Sequence, residues 1–347
     1  MQGAGEANLT SRIAATRHGQ RFQQTSPFMS IAFVFPGQGS QSIGMGRELA
    51  NAFPEARAVF EEVDEALGEK LSALMWEGDE DELKLTRNAQ PALMAVSLAA
   101  VRALAGSGVG IPANVTFVAG HSLGEYSALA AAGSFTVAEA AKLLRIRGEA
   151  MQDAVPVGEG AMAAIIGLDE ETVERVCAQA VEMGGTCEIA NDNGGDQIVI
   201  SGAKDAVEIA TVLAKENGAK RALPLPVSAP FHSVLMRPAA ERMRAALGET
   251  PPRDPSALLV ANVTAEPVGE GTAIADLLVK QVTGRVRWRE SVLAMEDRGV
   301  DLMIEVGAGK VLTGLAKRIA SGIEAMPCGT PDGVRAVAER IERGDEA

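Results

Sequence analysis

Aromatic side chains are scarce in this chain. Nine Phe, two Trp and one Tyr occur among 347 residues, beside a net charge of −14. That combination argues against nucleic acid as a partner. Cysteine is nearly absent as well. Cys177, Cys187 and Cys328 form an odd set without metal-ligand spacing, which reads as reduced core thiols of a cytoplasmic protein and gives no metal site. Long apolar runs are also missing. A membrane span needs roughly 18 consecutive apolar residues, and the most apolar stretch, 89–105, is interrupted by Gln90, Ser97 and Arg102. Histidine occurs only three times, a shortage that narrows the choice of a catalytic base.

A hydrophobic content of 47% with 22% charged residues suits a globular enzyme built as one large domain, with room for an inserted subdomain. Residues 1–28 carry Arg12, Arg17 and Arg21 against Glu6 alone. They read as a poorly ordered extension ahead of a start at Met29, with a mitochondrial transit peptide as the alternative. From there the chain alternates. A strand at 31–35 enters the glycine-rich turn 36–41, helices follow at 54–67 and 90–104, and 79–82 reads as a solvated acidic turn. Strands alternating with helices predict a mostly parallel sheet covered on both faces. The rhythm then changes to strand, helix, strand, strand, helix, strand between 160 and 227. This βαββαβ order predicts a ferredoxin-like small subdomain inserted at 156–227. The large subdomain then comprises 29–155 and 228–320, with 321–347 as a C-terminal strand and helix tail.

The chemistry centres on Gly120-His121-Ser122-Leu123-Gly124-Glu125. An apolar β-branched run precedes it and an alanine-rich helix, 126–132, follows, which is the strand–turn–helix setting of a nucleophilic serine. Its glycines permit a turn too tight for a Cβ. The helix start offers free N–H groups to a developing oxyanion. Such a serine needs a base. His18 lies in the extension and His121 is turned away by the sharp bend, so His232 is left. Asp153, Asp192 and Asp254 are available as a third member, and a backbone carbonyl would serve equally. In the helix predicted over 137–151, Arg147 falls on the apolar stripe of Ala140, Leu143, Leu144, Ala150 and Met151. An inward guanidinium requires an anion: either an internal Asp or Glu, or a substrate carboxylate held in bidentate fashion. The turn at 37–41 stands where a second oxyanion donor is expected. Near the C-terminus, 307–310 imitates a nucleotide loop but has Ile304 and Val311 where Gly and Ser or Thr belong.

With these residues assembled, the chain resembles the bacterial malonyl-CoA:acyl-carrier-protein transacylases of fatty-acid synthesis. The resemblance runs from Met29 to about Ile319. It rests on Phe35-Pro36-Gly37-Gln38-Gly39-Ser40-Gln41, on 120–126, on Arg145-Ile146-Arg147-Gly148, on 160–168 and on 307–315. It implies an α/β-hydrolase-like parallel-sheet core with the ferredoxin-like insert. It further implies that Ser122 carries the malonyl ester, that His232 is general base and acid, and that the Gln38 and Leu123 N–H groups form the oxyanion hole. Arg147 would hold the malonyl carboxylate, the Gln281 carbonyl would orient His232, and Phe231 would select against a branched acyl group. The implied reaction is a ping-pong transfer from malonyl-CoA to the phosphopantetheine of acyl carrier protein. It needs no bound cofactor, no membrane and no nucleic acid, and the protein is expected to be a monomer. Arg285, Arg287 and Lys317 are candidates for docking the acidic carrier. A polyketide-pathway acyltransferase and a serine acyl-hydrolase or thioesterase are the competing readings.

Overall fold

The computed structural model describes residues 29–111, 113–227 and 229–344. The expected extension 1–28, with His18, lies outside the described residues. Ten strands follow in chain order: β1 (Ile31–Phe35), β2 (Phe117–Gly120), β3 (Gly160–Ile166), β4 (Cys187–Asp192), β5 (Gln197–Ala203), β6 (Arg221–Pro224), β7 (Leu258–Val260), β8 (Pro267–Val268), β9 (Leu302–Val306) and β10 (Glu324–Cys328). Six of them form one sheet in the order β10-β9-β1-β2-β7-β8, parallel except for β8. Every residue of β1, β2 and β9 is buried, as a sheet with helices on both faces requires. Alternate side chains of β1 part to opposite sides. Ile31, Phe33 and Phe35 join the core that includes Leu93 and Leu143, while Ala32 and Val34 join the one around Trp288 and Met303.

The remaining four strands form an antiparallel sheet in the order β4-β5-β3-β6. Helices Glu170–Glu182 and Lys204–Glu216 link its strands and pack with Ala163, Ile165 and Ile200 in a core of their own. The opposite face of the same sheet sends Met162, Ala164 and Val199 into the main core. One wall of the interior therefore comes from each sheet.

One local expectation is corrected. The stretch 79–82 is not an open turn: Asp79 accepts the Asp81 and Glu82 N–H groups at 2.9 and 3.0 Å and caps a short helix, Glu80–Lys84. Its acidic first turn complements the helix dipole. The strand and helix expected in 321–347 are both present. β10 pairs in parallel with β9 along its whole length, and the helix Pro331–Gly344 buries Val334, Val337 and Ile341 in the main core. Among the described residues one helix, Thr86–Gly106, is long and apolar enough to cross a membrane. Yet 78% of its most apolar window is buried inside the fold, and it runs under the sheet as a core helix.

Candidate active site

The turn after β2 is as tight as its glycines imply. A Cβ on Gly120 would lie 1.9 Å from the Gly124 carbonyl carbon, and one on Gly124 would lie 2.2 Å from the Phe35 oxygen. Ser122 itself sits at φ 54° and His232 at φ 57°. Both are in the left-handed region, which a side-chain-bearing residue holds only when its surroundings force it. For Ser122 the force is visible. Asn262 Oδ1 accepts the Ser122 N–H at 2.8 Å, and Asn262 Nδ2 donates to the Gly120 carbonyl at 2.6 Å. One amide side chain thus clamps both ends of the turn.

The serine hydroxyl lies 2.7 Å from His232 Nε2. His232 Nδ1 faces two carbonyl oxygens, Gln281 at 2.9 Å and Gly284 at 3.1 Å. Carbonyls only accept, so Nδ1 carries the proton and Nε2 is left free to accept from Ser122. Burial, with the Arg147 charge adding to it, pushes the His232 pKa down to about 3. The imidazole is therefore a neutral base at ordinary pH. The three aspartates considered for this position are elsewhere: Asp153 bonds Arg242, Asp192 pairs with Arg289, and Asp254 accepts the Gly271 N–H.

Arg147 is only 1% exposed. Its helix, Val137–Asp153, begins on a capping box in which Thr136 and Glu139 satisfy each other's backbone N–H groups, which fixes where each later residue faces. Gly148 then lets that helix touch the start of Thr86–Gly106, since a Cβ there would lie 2.6 Å from Arg87 Cα. The approach brings the guanidinium to Gln90 Oε1 at 2.8 Å, Gln281 Oε1 at 2.8 Å and Ser122 Oγ at 3.1 Å. Its Nε–H has no partner among the described residues. Among the described residues no carboxylate pairs with Arg147, so the internal ion pair weighed from sequence does not form.

These groups open onto a cavity of about 560 Å³. Gln38, Leu123 and Phe231 line it from the large sheet's side, and Met162, Asn193 and Val199 from the small one. The backbone N–H groups of Gln38 and Leu123 donate no hydrogen bond among the described residues, and both residues line the cavity with Ser122. Phe231 is packed into the main core with 8% of its surface exposed. His121 turns away from the hydroxyl, as expected, toward Asn193 Oδ1 at 2.9 Å and the Trp288 ring.

Four contributors escape the sequence reading. Gln90 holds Arg147, Asn262 clamps the turn, the Gln281 side chain adds to its carbonyl, and Glu125 sits behind them. Glu125 is 1% exposed and accepts the Asn262 N–H at 3.1 Å, with a second, very short bond from Gln281 Nε2. Burial pushes its pKa up to about 7 against the pull of those donors and of Arg147. A lone glutamine in the apolar run 89–105 is the one available signal for Gln90. The docking candidates fare unevenly. Arg285 pairs with Glu170 and Glu174, and Arg287 with Glu290, so both are already engaged by carboxylates. Lys317 is exposed in the last turn of Val311–Ile319.

The acyl transferase domain family matches the chain over residues 32–327. A malonyl CoA-acyl carrier protein transacylase of Bacillus subtilis is 46% identical over 318 residues, 91% of this chain and 99% of that relative. Among solved structures, the acyl-carrier-protein-S-malonyltransferase from Bartonella henselae is similar at TM-score 0.89 and 56% identity, covering 90% of this chain and 100% of that one. A malonyl-transacylase solved in complex with its type II PKS acyl-carrier protein is similar at TM-score 0.86 and 42% identity, covering 90% and 99%.

Proposed function

This chain belongs to the acyl transferase family of malonyl-CoA:acyl-carrier-protein transacylases, and from that premise we propose how its residues divide the work. The chain moves malonyl from malonyl-CoA to the phosphopantetheine thiol of acyl carrier protein, supplying fatty-acid synthesis. The observation that carries the choice of acyl group is a buried arginine beside the nucleophile with no carboxylate on it. A buried charge that no carboxylate touches is costly, and a malonyl carboxylate supplies that contact. A simple acyl hydrolase has no use for it.

Ser122 Oγ attacks the thioester carbonyl as its proton passes to His232 Nε2, and the Gln38 and Leu123 N–H groups hold the oxyanion. The Gln281 and Gly284 carbonyls hold the imidazolium proton at Nδ1. The C–S bond breaks, the CoA thiol leaves with the proton from Nε2, and malonyl remains on Ser122. The carrier's thiol then gives its proton to His232 and attacks the ester, reversing the steps. Arg147 has five N–H groups. The two glutamines use one each, so the fork keeps donors for a carboxylate, and acylation of Ser122 releases another. Phe231 narrows the wall against a branched acyl group. Nucleophile, base, oxyanion donors and clamp are all amino-acid groups, so no bound cofactor enters the scheme. All come from one chain, which fits a monomer, and three free buried thiols fit the cytoplasm.

Incubation with malonyl-CoA should give a malonyl adduct by intact mass, discharged onto added holo carrier protein. Ser122→Ala should give none. An adduct that persists in that variant removes Ser122 as nucleophile, and water rather than carrier as acceptor would make the protein a hydrolase.

A further inference from the structure

Arginine in a protein interior is ordinarily matched by a carboxylate. Here its immediate partners are the oxygens of two neutral amides, Gln90 and Gln281, and the carboxylate stands one residue further back. Gln281 Nε2 donates to Glu125 Oε2 and also to the Ser122 carbonyl at 2.9 Å. With its N–H groups taken up on that side, the Gln281 amide can present only its oxygen to Arg147. Glu125 Oε1 meanwhile accepts the Asn262 N–H, so two donors converge on its two oxygens. A carboxylate satisfies both. A glutamine in its place has one acceptor for two donors and must turn one of them away.

We propose that Glu125 is a positioning residue for substrate choice: by fixing the Gln281 amide it holds Arg147 through a neutral oxygen, leaving the guanidinium charge for the substrate's carboxylate. The counter-charge is thus displaced by one amide from the clamp. A carboxylate touching Arg147 directly would hold it as well or better but would compete with the acyl group that the site must accept. This inference rests on the malonyl-transfer reading above.

The decisive test is an exchange of the two groups, Glu125→Gln combined with Gln281→Glu. The amide introduced at position 125 accepts the Asn262 N–H and donates to the carboxylate introduced at position 281, which now pairs with Arg147. The bonds from position 281 to the Ser122 carbonyl and, at 3.5 Å, to Asn262 Oδ1 are lost, because a carboxylate cannot donate. Transfer of malonyl and of acetyl to holo carrier protein is measured for wild type, the exchanged variant and Glu125→Gln alone, with thermal denaturation of each. The exchanged variant should still fold, with a melting temperature below wild type for the two lost bonds, while the malonyl-to-acetyl ratio of kcat/KM falls roughly tenfold to a hundredfold, mainly through KM for malonyl-CoA. Glu125→Gln alone should lower the ratio in the same direction. A folded exchanged variant with the wild-type ratio overturns the proposal. If that variant does not fold, an unchanged ratio in Glu125→Gln does so. Wild type unable to transfer malonyl would instead sink the underlying reading, a result distinct from either.

Discussion

Truncating Arg147 separates the roles of clamp and nucleophile more sharply than any other single change. In Arg147→Ala a malonyl group loses a bidentate, charge-assisted contact. Two such hydrogen bonds are worth about 3–6 kcal/mol together, which lowers kcat/KM for malonyl transfer by about 10²–10⁴-fold. Acetyl has no carboxylate to lose. For it the substitution removes the Arg147 Nη2 bond to Ser122 Oγ at 3.1 Å, whose loss costs roughly two- to tenfold, and relieves the repulsion of the His232 imidazolium, which offsets part of that loss. The malonyl-to-acetyl ratio should therefore fall by about 10²–10³. Folding should survive. The variant orphans two buried acceptors, Gln90 Oε1 and Gln281 Oε1, at about 1–3 kcal/mol each, but it also removes a buried charge that no carboxylate touches. The assay is quenched-flow transfer from malonyl-CoA or acetyl-CoA to holo carrier protein, read by mass, beside a thermal melt. Equal losses on the two substrates in a folded variant would refute the reasoning and leave Arg147 a structural residue.

Two further outcomes follow from the same geometry. Because burial and Arg147 lower the His232 pKa from an ordinary 6.5 to about 3, its imidazole should stay uncharged as pH falls through 6.5. Histidine-resolved NMR from pH 8 to 4 should show no protonation of His232, and a midpoint near 6.5 would contradict the role given to burial. In Asn262→Ala the Ser122 N–H and the Gly120 carbonyl lose their shared partner. Two buried orphans cost about 2–6 kcal/mol, so chemical denaturation should show a loss of that size together with slower malonyl loading. A loss below about 1 kcal/mol would mean that the serine turn holds its left-handed backbone without the clamp.

The features legible in the sequence are those carried by local pattern. The serine turn announces itself through two glycines between an apolar strand and a helix, and both glycines stand where a Cβ would strike backbone. Arg147 shows itself by lying on the apolar stripe of an amphipathic helix, because helical period alone decides which face is inward. The strand order of the small subdomain follows from period and turn residues. What stays hidden is held by long-range contacts. Asn262 reaches the turn across 140 residues and Gln281 across 159, and neither sits in a stretch whose own pattern is unusual. The acidic stretch 79–82 misleads because a solvated turn and a capped short helix share a composition. The strand and helix of 321–347 are legible locally, while the place of β10 beside β9 is a tertiary fact.

The missing triad aspartate has the same physical origin as the neutral cradle of Arg147. Ser122 Oγ is 2.7 Å from His232 Nε2 and 3.1 Å from an Arg147 nitrogen, so the imidazole and the guanidinium, both buried, sit side by side. An aspartate on His232 Nδ1 would place a full negative charge within the reach of Arg147, where low polarizability makes every charge felt strongly. It would stabilise the imidazolium, but it would also offset the positive field that draws the substrate's carboxylate. Two backbone carbonyls fix the same tautomer with dipoles alone and leave that field intact. The imidazolium formed during transfer is then stabilised by the malonyl carboxylate itself, because an occupied clamp no longer repels the base. On this account the proton transfer at His232 is easier with the acyl group whose charge Arg147 needs, so the arginine contributes to rate as well as to binding.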